Sequence, residues 1–250
     1  MRGPRLGRPP GGAGGRGRGR EQIPPRRVAT PRRPPLGPPS PVYGDLVPDE
    51  RHEISLPRSI GAVFLRENEE GRRIASHLRA GQTLLDLGAG TGLMSRWLAR
   101  RTGVRPTLCD VVEYPNRVRS LPFIPQDDPF RVPVDDASFD VVLMMFVLHH
   151  VERYEDQGRV IDEARRIARE RVIVAEDTPA SRLDRAFNAA WDRLLNVRHG
   201  VPTPCTFRSA DAWAEEFAAR GLRVVHRETY RPTWPTLRTY PHTLYVLEPA

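Results

Sequence analysis

Three groups of side chains in this sequence could do chemistry. The first is the run Thr83-Leu84-Leu85-Asp86-Leu87-Gly88-Ala89-Gly90-Thr91-Gly92-Leu93-Met94, where an apolar stretch meets alternating glycines and then a helical pattern. Glycines between a strand and a helix allow left-handed backbone and close approach of a ligand. The second group is a series of acids, Asp86, Asp110 and Asp128, whose carboxylates can accept hydrogen bonds from a ligand's hydroxyl and amino groups. The third is the pair His149-His150. Imidazole titrates near neutrality and can take a proton from a hydroxyl or a carbon acid.

The glycine spacing restricts the ligand. Glycines at 88, 90 and 92 give G-x-G-x-G, whereas the dinucleotide fingerprint needs its third glycine where this chain has Leu93. A nicotinamide dinucleotide is disfavoured. No Lys followed by Ser or Thr comes after the loop, as a P-loop requires, so ATP and GTP are disfavoured too.

These groups need elements to position them, and the apolar pattern supplies an alternating order of strands and helices. Thr83–Leu87 reads as the first strand, Leu93–Arg101 as a helix, and Pro106–Val112 as a second strand with Asp110 towards its end. Five prolines between Glu113 and Asp136 break the next stretch, leaving a short third strand near Phe123–Gln126. Val141–Phe146 is a buried fourth strand, 156–169 a helix, and Arg171–Ala175 a fifth strand. Leu183, Phe187, Trp191, Leu194 and Leu195 recur at helical spacing, which predicts a helix with an apolar face, either a core helix or a lid over the sheet's carboxyl edge. Ser209 caps a further helix ending at Gly221, and Leu222–Thr229 with Thr243–Leu247 close the sheet. Residues 59–78 form one or two helices before the first strand. Alternating β and α elements predict a mostly parallel sheet covered by helices on both faces.

The basic charge belongs to one end. The chain carries a formal +8, but residues 1–42 hold ten Arg against the single acid Glu21, so the remainder is near neutral. With repeated Pro and Gly and little to bury, 1–42 is expected to be a disordered tail ahead of a domain spanning 43–250. Gly11–Arg20, GGAGGRGRGR, has the composition of RNA-binding arginine–glycine segments, but reads first as a linker. All 39 basic residues are Arg, which fits a GC-rich coding sequence better than a phosphate-binding face, so nucleic acid is not the expected partner. No signal-peptide core and no apolar run long enough for a bilayer appear, which predicts a cytoplasmic protein. Cys109 and Cys205 make neither a disulfide framework nor a metal-ligand set.

Taken in order, LLDLGAGTG, Asp110, the segment from Asp128 through Val132-Pro133-Val134-Asp135-Asp136-Ala137-Ser138-Phe139-Asp140-Val141-Val142, and Leu148-His149-His150-Val151 resemble the class I S-adenosylmethionine-dependent methyltransferases, in particular their small bacterial type 11 group. The likeness covers about residues 60–250. It implies a Rossmann-like fold with a seven-stranded sheet whose last strand is antiparallel, and S-adenosylmethionine as cofactor. It further implies that Gly88, Ala89, Gly90 and Gly92 approach the methionine part and that Asp86 holds its amino group through water. Asp110 would accept both ribose hydroxyls, Asp128 or its neighbour Asp127 the adenine amino group, and Met144, just past the fourth strand, would offer backbone contact.

The methyl donor of that family is already activated, so the protein's task is alignment and exclusion of water. His149 or His150 is the candidate general base, or else packs beneath the cofactor. Glu176-Asp177 is only part of the acidic cluster that metal-dependent methylation uses, so no metal is expected. Met144-Met145-Phe146-Val147 replaces the Asn/Asp-Pro-Pro-Tyr segment of amino-methylating nucleic-acid enzymes, and Pro204-Cys205 lies outside the place of a cytosine-methylating cysteine. The walls left for the acceptor are the segment before Ser59, the Phe187/Trp191 helix, 199–207, and a loop with Tyr230, Trp234 and Tyr240. They are apolar and aromatic, and predict a small organic acceptor. A protein that binds the cofactor without transferring methyl, and an RNA-directed enzyme or RNA-binding protein using the arginine tail, are the competing readings.

Overall fold

A computed structural model describes residues 69–196, 203–231 and 240–250. The arginine-rich tail, the boundary at residue 43 and Trp234 lie outside the described residues. Seven strands form one sheet in the order β3-β2-β1-β4-β5-β7-β6. They are β1 (Thr83–Leu87), β2 (Arg105–Asp110), β3 (Phe123–Pro125), β4 (Phe139–Met145), β5 (Ala168–Asp177), β6 (Leu222–Tyr230) and β7 (His242–Pro249). The pairs from β3 to β5 are parallel, and β7 runs antiparallel to both its neighbours, β5 and β6. The chain therefore winds outward from β1 through β2 to β3 and returns to β4 on β1's other side. Ligands of open α/β sheets bind at such a reversal, beyond the strands' carboxyl ends.

The apolar runs behave as buried parallel strands should, with successive side chains entering different cores. Leu85, Val142, Met144, Val172 and Val174 pack with Ile161 and Ala164 of α3 (Tyr154–Ile167) and with Trp213 and Phe217 of α5 (Ala210–Ala219). Leu84, Val141, Leu143 and Ile173 face the other way, onto Ile74 of the helical segment 69–75, here α1, and onto Met94 and Leu98 of α2 (Leu93–Thr102). Each leucine so buried contributes about 2 kcal/mol.

Helix ends carry their expected signals. Ser209 Oγ accepts from the Ala212 N–H at 3.2 Å to start α5. Gly103, at φ 77°, ends α2 in the left-handed conformation and returns its N–H to the Ala99 carbonyl. Asp140 opens β4 as a structural acid: its Oδ2 accepts from the Thr83 backbone N–H at 2.8 Å and hydroxyl at 2.9 Å, tying β4 to β1.

Two sequence expectations are corrected. Met144 lies within β4 rather than past it: its side chain is fully buried and it stands opposite Val174 of β5 in the register. The strand ends one residue later, because Phe146 turns the chain at φ 57°. The helix after β5, α4 (Arg182–Asn196), buries a polar stripe, Asp184, Asn188 and Asp192, while Leu183 and Leu194 are exposed. Its apolar spacing does not mark the buried side. Among the described residues, no helix is long and apolar enough to cross a membrane.

Candidate active site

The three glycines of the β1–α2 turn have different reasons to be glycine. Gly88, Gly90 and Gly92 all take positive φ, 78°, 56° and 76°. A Cβ on Gly88 would stand 2.5 Å from Val147 Cγ2, and one on Gly92 would stand 2.4 Å from Leu108 Cδ1. Those two are packed shut against the protein. Among the described residues a Cβ on Gly90 would meet nothing within 4 Å, so the backbone is bare there. The Gly88 and Ala89 N–H groups are used on the Cys109 carbonyl, at 2.8 and 3.0 Å, which pins the loop to the end of β2.

Asp110, 8 % exposed at the end of β2, binds that same loop. Its Oδ2 accepts from the Gly90 N–H at 2.7 Å and its Oδ1 from the Val112 N–H at 2.9 Å. The carboxylate is held rigid beside the open face of Gly90. Asp86, nearly buried on β1, accepts from the Ser95 hydroxyl of α2 at 2.7 Å. Burial pushes its carboxyl up to about 6, and the Asp110 charge adds to the rise while the Ser95 bond opposes it. Asp128 is exposed, and its Oδ1 caps its own turn by accepting from the Phe130 N–H at 2.9 Å. Asp127 beside it is exposed as well, and the buried side chain of this segment is Gln126. Just downstream, the turn is anchored through Val132, whose N–H donates to Glu163 of α3 at 2.7 Å.

Beyond β4 the chain enters a short 3-10 turn, Leu148–His150, that carries both histidines. Glu176, near the end of β5 and fully buried, organises it. One oxygen accepts from the Val147 and Leu148 N–H groups at 2.9 and 2.6 Å, and the other lies 2.7 Å from His149 Nδ1. The far nitrogen of His149 faces Asp192 of α4, Nε2 to Oδ1 being 3.8 Å, and His150 Nε2 is 3.9 Å from the same oxygen. Burial opposes a charge on His149, but Glu176 and Asp192, with Asp177 behind them, outweigh it and raise its pKa well above the ordinary value. Val147 joins this turn to the cradle, since it touches Gly88 on one side and bonds Glu176 on the other. From below, Gln157 of α3 donates to the Leu148 carbonyl at 3.0 Å, and the Thr206 hydroxyl donates to the His149 carbonyl at 3.0 Å.

Asp177 turns to a second array. His242, on the neighbouring β7, has Nδ1 2.9 Å from Glu70 and Nε2 3.3 Å from Asp177, all three being buried. Phe146 and Tyr240 pack on the His242 ring, and Phe187 of α4 packs on Tyr240 and stacks parallel to Trp191. Of the aromatic side chains expected to wall the acceptor, Phe187, Trp191 and Tyr240 stand together. The same edge also holds acids, for Glu70, Glu176, Asp177, Asp184 and Asp192 are all buried there.

A methyltransferase-domain family matches residues 62–227, more than half of the chain. The chain belongs to this family. It is a class I S-adenosylmethionine-dependent methyltransferase domain, with the seven-stranded, mostly parallel sheet of that fold. It is 32 % identical over 155 residues to the demethylmenaquinone methyltransferase of Tropheryma whipplei, covering 57 % of this chain and 59 % of that protein. It is 29 % identical over 164 residues to the 27-O-demethylrifamycin SV methyltransferase of Amycolatopsis mediterranei, covering 62 % and 52 %. The chain thus spans between a half and three-fifths of the length of these curated relatives. A solved structure of Burkholderia thailandensis 1,6-didemethyltoxoflavin-N1-methyltransferase shares the fold, with TM-score 0.55, 17 % identity, and coverage of 74 % of this chain and 79 % of that one.

For this methyltransferase domain the cofactor is S-adenosylmethionine, and the cradle fits it. The bare backbone at Gly90 would leave room for the methionine part, and Asp110 at its side could offer two oxygens to a diol. When bound, the cofactor supplies a methyl on a positively charged sulfur. Ser95, Glu176, Gln157 and Asp192 escape a reading of the sequence because their partners lie on other elements. The only hint was the acidic end of β5, Glu176-Asp177.

Proposed function

We propose that this protein transfers a methyl group from S-adenosylmethionine to a small organic acceptor that gives up a proton, held over the histidine pair. The observation that carries this is the packing of the two halves through Val147, which sets the histidine turn directly against the cradle. Asp110 orients the ribose, Asp86 holds the amino group, Asp128 takes the adenine edge, and the Phe187–Trp191–Tyr240 wall shields the acceptor from water. Of the two histidines, His150 receives the proton. The His149 ring is buried between Glu176 and Asp192 at 2 % exposure, while the His150 side chain keeps 20 %.

Curated relatives named for demethylmenaquinone and for a demethylrifamycin, and a fold neighbour solved with didemethyltoxoflavin and S-adenosylhomocysteine, support a small-molecule acceptor. The test is a binding titration of the full chain with S-adenosylmethionine, followed by an assay for S-adenosylhomocysteine with a panel of phenols, quinols and enols. Binding with turnover on a panel member is the expected result. Binding without product across the panel and with RNA would show a cofactor-binding protein that transfers nothing.

A further inference from the structure

Asp192 brings to the histidine pair what the sequence around 149 and 150 lacks, an oxygen ligand from a separate element. One ring nitrogen of His149, one of His150 and one carboxylate oxygen of Asp192 lie within 4.8 Å of one another. His149 Nε2 and His150 Nε2 stand 3.8 and 3.9 Å from Asp192 Oδ1. Neighbouring ligands on a four-coordinate ion with bonds of about 2.1 Å stand about 3.4 Å apart, so side-chain shifts of well under 1 Å close two of the three edges. We propose that His149, His150 and Asp192 bind a divalent transition-metal ion of the zinc or iron(II) class at the acceptor side of the site.

Three further observations favour an ion. Glu176, 2.7 Å from His149 Nδ1, leaves Nε2 as the nitrogen turned to Asp192, which is the carboxylate–histidine arrangement that orients and strengthens an imidazole ligand. Two imidazoles and one carboxylate suit a borderline transition metal rather than magnesium or calcium, which prefer oxygen alone. One turn before Asp192 on the same buried stripe, Asn188 is fully buried, and neither amide atom has a hydrogen-bond partner among the described residues. A buried amide without a partner among the described residues leaves polar capacity on the stripe that carries Asp192.

Three protein ligands leave a coordination position open, as catalytic rather than structural sites do. An acceptor oxygen or nitrogen occupying that position would shed its proton to solvent more readily. That use of the ion rests on placing the acceptor at this cluster, as proposed above, but its binding does not. With an ion bound both rings are ligands, and proton transfer to His150 belongs to the ion-free protein.

Full-length protein treated with EDTA and dialysed is titrated with zinc sulfate by calorimetry. S-adenosylhomocysteine affinity is measured on the same samples as a control for folding. The expected result is one zinc per chain, with affinity lowered at least about tenfold in His150→Ala and in Asp192→Asn while S-adenosylhomocysteine binding stays within about twofold. Absence of a zinc isotherm in protein that binds S-adenosylhomocysteine would overturn the proposal, as would zinc binding unchanged in both variants. Product formation by EDTA-treated protein without a zinc site would sink the ion alone. Zinc binding without any methyl product would instead sink the methyl-transfer reading and leave the ion standing.

Discussion

Glu176 and His149, both buried, meet at 2.7 Å between Oε2 and Nδ1, and the other oxygen of Glu176 closes the amino end of the turn that carries the histidine. One side chain near the end of β5 therefore fixes the position of a residue 27 earlier in the chain. A buried carboxylate with three donors is stabilising only as a set, since removing it strands two backbone N–H groups and an imidazole. Glu176→Ala is expected to cost about 3–5 kcal/mol in a denaturant titration, and Glu176→Gln clearly less, because the amide oxygen still accepts. Equal losses in the two variants would show that the hydrogen bonds are not what the carboxylate contributes.

The glycines separate packing from ligand contact. Gly92→Ala drives a methyl into Leu108 and should cost several kcal/mol by overpacking and left-handed strain together. Gly90→Ala meets open space, and its stability loss should be only about 1–2 kcal/mol from its φ of 56°. Its effect should appear in binding instead, as an S-adenosylhomocysteine affinity reduced more than about tenfold. Normal affinity in Gly90→Ala would move the cofactor away from this loop.

Asp110 and Asp128 differ in a way that mutants can read. Asp110→Ala should weaken cofactor binding by about 1.5–3 kcal/mol, roughly ten- to a hundred-fold, since it removes both the diol acceptor and the anchor of the Gly90 N–H. Asp128→Ala should cost only a few-fold, because that carboxylate is exposed and caps its own turn. Isothermal titration of the folded variants checks the order, and reversed values would contradict these assignments.

Asp86 gives a pH dependence with a definite sign. Its carboxyl is raised from 3.8 to about 6 by burial, so the stability it contributes is full below about 3.8 and is lost as pH rises through about 6. At neutral pH the buried charge costs on the order of 3 kcal/mol, and Asp86→Asn should recover about 1–3 kcal/mol in the ligand-free protein. Cofactor binding has the opposite trend. An ammonium pairs with the ionised form, so S-adenosylhomocysteine affinity should fall as pH drops below about 6, by up to about tenfold per unit, and Asp86→Asn should flatten that slope. An unchanged slope in the mutant would assign the proton to another group.

The legible parts of the sequence were those whose partners are close in the chain or obey a period. Leu84 and Leu85 announce a strand buried on both faces, Ser209 a cap, and the spacing of 88, 90 and 92 a turn with bare backbone. The α4 stripe was not legible, because Asp184, Asn188 and Asp192 are buried by what the sheet edge offers and not by hydrophobicity. For the same reason the sequence does not bring Asp192 to His149 and His150, since it lies on a helix 42 residues further on. Nothing local forecasts that Phe146 takes a left-handed φ, so the apolar run reads one residue longer than β4, which ends at Met145.

The fate of a labelled methyl group separates a small-molecule acceptor from an RNA acceptor. Full-length protein is incubated with methyl-tritiated S-adenosylmethionine and a cell extract containing both small molecules and RNA. The label is expected in the small organic fraction, with an equal amount of S-adenosylhomocysteine formed, and both should fall at least about tenfold in Asp110→Ala. Label recovered in RNA with none in small molecules would contradict the account.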